Sequence, residues 1–167
     1  QKYSAIIPDQ EIIHFMNDML KFDEFKNIEP NKKILILNRI IDWQHSSFVR
    51  KPKKDSVQIM GSGYLFNAIA DSVINQADID YFLEQRQQLQ TKRWKTKFAN
   101  TRLIRKSYNE KVFKHSYSIP LFSVDKTKAI IYKGFKKNWT TVGLRYCLYH
   151  KVNGRWVLLQ GLLYMES

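Results

Sequence analysis

The sequence predicts an α+β fold in one domain, with N-terminal helices followed by a C-terminal antiparallel β-meander. Three observations predict it. Apolar residues recur at helical spacing in two early stretches, while runs of alternating apolar and polar residues dominate from Val112 onward. The last two of these runs are joined by Asn153-Gly154, a dipeptide suited to a type I′ turn because both central positions need positive φ. Consecutive strands with short connections give a meander, and helices segregated ahead of it make the class α+β. Neither an internal repeat nor a linker interrupts residues 1–167, so one domain is the economical reading.

The first helix is expected from about residue 9 to residue 21, where Ile12, Phe15, Met16, Met19 and Leu20 mark one face. Pro8 and Asp9 open it, and acids in the first turn favour the positive end of the helix dipole. Pro30 and Asn31 break the chain before Ile34 to Leu37, a short apolar run that fits a buried strand or part of a helix. Arg50 to Asp55 reads as a surface loop, and Val57 to Met60 as a strand ending at Gly61 and Gly63. A second helix is expected from Asp78 to Leu89, with Ile79, Phe82, Leu83 and Arg86 on one face. A basic stretch follows from Lys92 to Lys106, interrupted by Trp94 and Phe98. The expected strands are then Val112 to Ile119, Lys128 to Phe135, Leu144 to Val152 and Arg155 to Met165.

Composition excludes several classes. The 167 residues are 44% hydrophobic and 14% aromatic, too apolar for a disordered polycation. A chain of this length buries roughly 70% of its unfolded surface on folding. No apolar run approaches the roughly 18 to 20 residues of a membrane-spanning helix. Cys147 is the single cysteine, which excludes an internal disulfide framework and a zinc site built on paired thiolates. The chain begins at Gln1 without a methionine, and a removed export signal would fit that start.

The formal net charge of +13 is regional. Residues 1–84 carry net −2, and residues 85–167 carry net +15 with only Glu110, Asp125 and Glu166 as acids. Such asymmetry points to a polyanionic or membrane-surface partner, against the plainer reading of a solvated basic face. The candidate anion-binding residues are Arg93, Lys95, Lys97, Arg102, Lys133 and Arg145. Interleaved aromatics would suit stacking on bases or sugars, but no RNP, zinc-finger or helix-turn-helix signature accompanies them, and the spacing of Trp94 and Phe98 suits core packing.

The motifs for chemistry are sparse. No HExxH, GxSxG or complete phosphate-loop motif occurs, so no catalytic residue, metal ligand or cofactor is assigned. Gly61-Ser62-Gly63 reads as a turn. Along an alternating strand Arg145 and Cys147 share a face while His150 points the other way, which makes Cys147 a structural thiol. The expected function is an exported, non-catalytic binding or interaction domain for an anionic partner: a polyanionic glycan, a lipid headgroup or an acidic protein surface. The rivals are a nucleic-acid binder and a hydrolase, for which a titratable cluster is expected around Gln85, His115, Arg145 or Tyr149.

The run Ser118-Ile119-Pro120-Leu121-Phe122-Ser123-Val124-Asp125, then Lys128-Ala129-Ile130-Ile131-Tyr132, then Asn153-Gly154-Arg155-Trp156, resembles a group of uncharacterised exported proteins common in Bacteroidetes. Ile12, Ile13, Phe15, Met16 and Asn17, and Asp78, Ile79, Tyr81 and Gln85, extend the resemblance into the first half, and Trp94 falls where that group often has a tryptophan. The resemblance implies export and this fold, with no activity attached. Relatives often carry cysteines after the tyrosine strand, where Lys133 to Gly143 here has none.

Overall fold

A computed structural model describes residues 2–29, 31–43, 66, 69–105, 114–137 and 140–166. The first helix, α1, spans Asp9–Met19 and buries Ile12, Phe15, Met16 and Met19, the predicted apolar stripe. Pro8 stands at its N-cap, and the Asp9 carboxylate accepts N–H bonds from Lys2 and Tyr3, closing the N-terminal segment onto the helix start. The chain does not stop there. It continues into a wider π-helical turn, Leu20–Glu24, closed by the Phe25 N–H donating to the Leu20 carbonyl at 3.0 Å. Single π turns of this kind often mark functional sites.

The ambiguous apolar run is a strand, β1, at Ile34–Leu37. The second helix, α2, spans Gln76–Gln87, starting ahead of Asp78 because Asn75 caps it. Asn75 Oδ1 accepts the Asp78 N–H at 2.9 Å, and Asp78 Oδ2 accepts the Asn75 N–H at 3.2 Å, a reciprocal capping box. Asn75→Ala is expected to cost about 1 kcal/mol in chemical denaturation. The buried residues of α2 are Asp78, Ile79, Phe82 and Gln85, while Leu83 and Arg86 of the expected face are only half-buried.

The other strands are β2 (Thr101–Ile104), β3 (Lys114–Tyr117), β4 (Leu121–Phe122), β5 (Lys128–Lys137), β6 (Thr140–Val152) and β7 (Arg155–Glu166). The sheet order is β2-β1-β3-β5-β6-β7, with β4 also pairing β5. The predicted meander is its C-terminal part, where β3, β5, β6 and β7 pair antiparallel. Asn153 (φ 50°) and Gly154 (φ 77°) turn β6 into β7 as a type I′ connection requires. The rest of the sheet departs from the expected meander: β1 enters between β2 and β3 and runs parallel to both, so the sheet is mixed. The expected loop at Arg50 to Asp55 and strand at Val57 to Met60 lie outside the described residues.

Alternation gives the sheet two covered faces. On one, Ala129, Ile131, Cys147, Tyr149 and Trp156 pack under α1. Phe15 is at the centre of this layer, edge-on to Tyr149 at 5.2 Å and to Trp156 at 5.3 Å. On the other, Ile130, Tyr132, Tyr146 and Leu148 pack against Ile79 and Phe82 of α2, with Trp43 and Phe66. The Trp43 indole donates to the Ile119 carbonyl at 2.9 Å, which pins the segment after β1 to the sheet.

Candidate functional site

The face of the sheet that α1 covers carries a charged row. Tyr117, Lys133 and Arg145 are register partners on β3, β5 and β6, so their side chains leave the same face side by side. The π turn brings Asp23 and Glu24 over that row. The Lys133 ammonium is 2% exposed and donates to Glu24 Oε1 at 2.6 Å and to the Tyr149 hydroxyl, with Asp23 Oδ2 at 3.5 Å. The Tyr149 hydroxyl in turn donates to Asp23 Oδ2. Arg145 Nη2 donates to Glu24 Oε1 at 2.6 Å, and the Tyr117 hydroxyl donates to Glu24 Oε2 at 3.3 Å. Two cations thus meet two carboxylates and cancel. A buried charge is tolerated on such terms only, because its lost hydration must be offset by opposite charge and hydrogen bonds.

The titration behaviour follows from this packing. Burial alone would raise the Glu24 carboxyl, but Lys133 and Arg145 hold it below its ordinary value. Burial and the bond to Asp23 push the Tyr149 phenol far up, so it stays protonated as a donor. Burial pushes His115 down, against the pull of Glu24; its ring is edge-on to Phe25 at 4.9 Å. Burial likewise raises the Cys147 thiol, despite Lys133 and Arg145 nearby, and the buried Cys147 is the structural thiol that strand alternation predicts. These shifts fix an acid dependence. His115 takes up its proton more readily unfolded, so stability falls as pH drops below about 6.5, the ordinary histidine value. Glu24 stabilises the folded state above its ordinary value of 4.5, and that contribution is lost as pH falls through its lower folded value. In urea titrations the stability gap between the native chain and Glu24→Gln should therefore narrow as pH falls below about 4.5, where Glu24 begins to protonate in the unfolded chain.

Beside the π turn lies a cleft of about 700 Å³. Leu20, Phe22, Phe25, Ile28 and Ile34 supply its apolar lining; Lys21, Lys26, Lys32 and Arg155 supply four cations against one carboxylate, Glu29. Ala99 and Asn100 close the far side, where the Asn100 carbonyl accepts the Ile34 N–H at 3.0 Å. The four cations are exposed, and none has an ion-pair partner among the described residues. The Arg155 guanidinium lies 3.4 Å from the Phe22 ring centroid and the Lys21 ammonium 5.1 Å from it.

The six sequence-predicted anion-binding residues separate into two groups. Arg93, Lys95, Lys97 and Arg102 are exposed on the basic segment that leads to the 99–100 wall and β2. Lys133 and Arg145 are instead paired with Glu24 under the π turn. The aromatics of the basic segment point inward: Trp94 and Phe98 are each 2% exposed and meet edge-on at 5.4 Å, leaving the cations outside. Trp94 also packs on Tyr3 at 5.2 Å, and the Tyr3 hydroxyl accepts the N–H groups of Lys95 and Thr96. Of the residues expected around a hydrolytic centre, His115, Arg145 and Tyr149 gather near Glu24 and Asp23. Gln85 belongs to the opposite face, bonded to the Phe122 backbone. Among the described residues no cluster of three or more His, Cys, Asp or Glu side chains could hold a metal ion. No described helix is long and apolar enough to cross a membrane.

Fold and site together define an α+β domain with a mixed sheet covered on both faces and a basic cleft at one helix end. No family model, curated protein or solved structure matches the chain.

Proposed function

We propose that this chain is a non-catalytic binding domain for an anionic partner, and that the partner seats in the cleft between the π turn, Ile34 and the 99–100 turn. The observation that carries the reading is the cleft's charge imbalance: four exposed cations, unpaired among the described residues, face Glu29 alone, whereas Lys133 and Arg145 under the π turn are paired with Glu24. Concave sites of a few hundred Å³ with an apolar lining and a few polar groups are the usual shape of ligand sites. Lys97 and Arg102 flank the 99–100 wall in sequence and extend the positive field toward it. The resemblance to exported proteins supports an exported setting for this binding.

The hydrolase reading has weaker support. His115, Arg145 and Tyr149 lie near two carboxylates, but Glu24 accepts from three donors and Tyr149 is fully buried between Lys133 and Asp23. Such a network holds the π turn on the sheet. Retention on a heparin column tests the proposal: elution should require high salt, and retention should fall steeply with ionic strength, as counterion release demands. Elution at low salt would overturn it.

A further inference from the structure

We infer that the ligand of this cleft is a small amphipathic anion, an acyl or aryl chain bearing a single carboxylate, phosphate or sulfate head. The inference rests on the proposed anionic reading and deepens it by naming the ligand class. Two observations carry it. The first is the pair of cations on Phe22. The Arg155 guanidinium and the Lys21 ammonium both lie within 5.1 Å of one ring centroid, and no carboxylate pairs with either among the described residues. Two cations on one ring with no carboxylate on either leave a local positive excess, which the ring quadrupole offsets only in part. A monoanionic head seated beside them neutralises that excess and gains charge-assisted hydrogen bonds.

The second observation is the apolar lining. Leu20, Phe22, Phe25, Ile28 and Ile34 line the same cleft, and Ile28 is 38% exposed, so apolar surface remains open to solvent beside the cations. A purely polyanionic ligand would leave that surface wet, whereas a chain laid along it gains roughly 25 cal/mol per Å² of apolar area buried. A volume of about 700 Å³ accommodates one such molecule.

The test is calorimetric titration of the full chain with three probes below micellar concentration: dodecyl phosphate, inorganic phosphate and dodecyl maltoside. Dodecyl phosphate should bind with a Kd about tenfold or more below either of the others. Lys21→Ser/Arg155→Ser should raise that Kd about tenfold. Ile28→Ser, an exposed position that leaves the core intact, should weaken dodecyl phosphate and leave inorganic phosphate unchanged; circular dichroism confirms that each variant is folded. Equal Kd for dodecyl phosphate and inorganic phosphate would overturn this inference while the anionic reading stands. Equal Kd for dodecyl phosphate and dodecyl maltoside would overturn both.

Discussion

Lys133→Met is expected to destabilise the domain by about 3–5 kcal/mol, the cost of breaking a buried ion pair from one side. The magnitude follows from what the substitution strands. Lys133 is buried among Glu24, Asp23 and Tyr149, and its removal leaves two carboxylates beside Arg145 alone. Methionine fills similar volume, so the loss is electrostatic. The double variant Lys133→Met/Glu24→Gln should recover part of the loss, because it removes charges of both signs together. Urea denaturation at pH 7 measures both. A single-variant cost below about 1 kcal/mol, the range of an exposed ion pair, would show that the ammonium is not buried with these acids.

Gln85→Ala is the second large expected effect. The Gln85 carboxamide bridges to one residue on the neighbouring strand: Nε2 donates to the Phe122 carbonyl at 2.7 Å and Oε1 accepts the Phe122 N–H at 2.8 Å. Gln85 is 1% exposed, so alanine orphans both backbone groups in a dry interior. Each orphan costs about 1–3 kcal/mol. Gln85→Glu keeps the acceptor but sets a carboxylate oxygen against the Phe122 carbonyl, and it should be destabilised as well. Unchanged denaturation midpoints in both variants would contradict the bridging role.

The contrast between these residues shows what was readable in the chain and why. The stripe of α1, the Asn153-Gly154 turn and the strands it joins were legible because each rests on contacts between near neighbours. The parallel entry of β1 was not, because nothing in Ile34 to Leu37 names its partners, Thr101 to Ile104 and His115. The short strand β2 was hidden in the basic segment, whose charges obscure its alternation. Lys133 does carry a local signal. It follows Ala129 and Ile131 on one face of β5, and a lysine there implies a buried carboxylate partner. Its partners, Asp23 and Glu24, are more than a hundred residues earlier, and only the π turn aims them at the sheet. The cleft was invisible for the same reason: Lys21, Lys26, Lys32 and Arg155 come from opposite ends of the chain, and the first three belong to the half whose net charge is −2.

The central claim is that location, more than net charge, carries anion binding. Two triple variants with the same charge loss separate the two directly on heparin: Lys21→Ser/Lys26→Ser/Lys32→Ser in the cleft, and Arg93→Ser/Lys95→Ser/Lys97→Ser on the exposed basic segment. The cleft variant should elute at much lower salt and show the smaller salt dependence, since fewer counterions are released on binding. Equal shifts in the two variants, or a larger shift in the second, would contradict the claim.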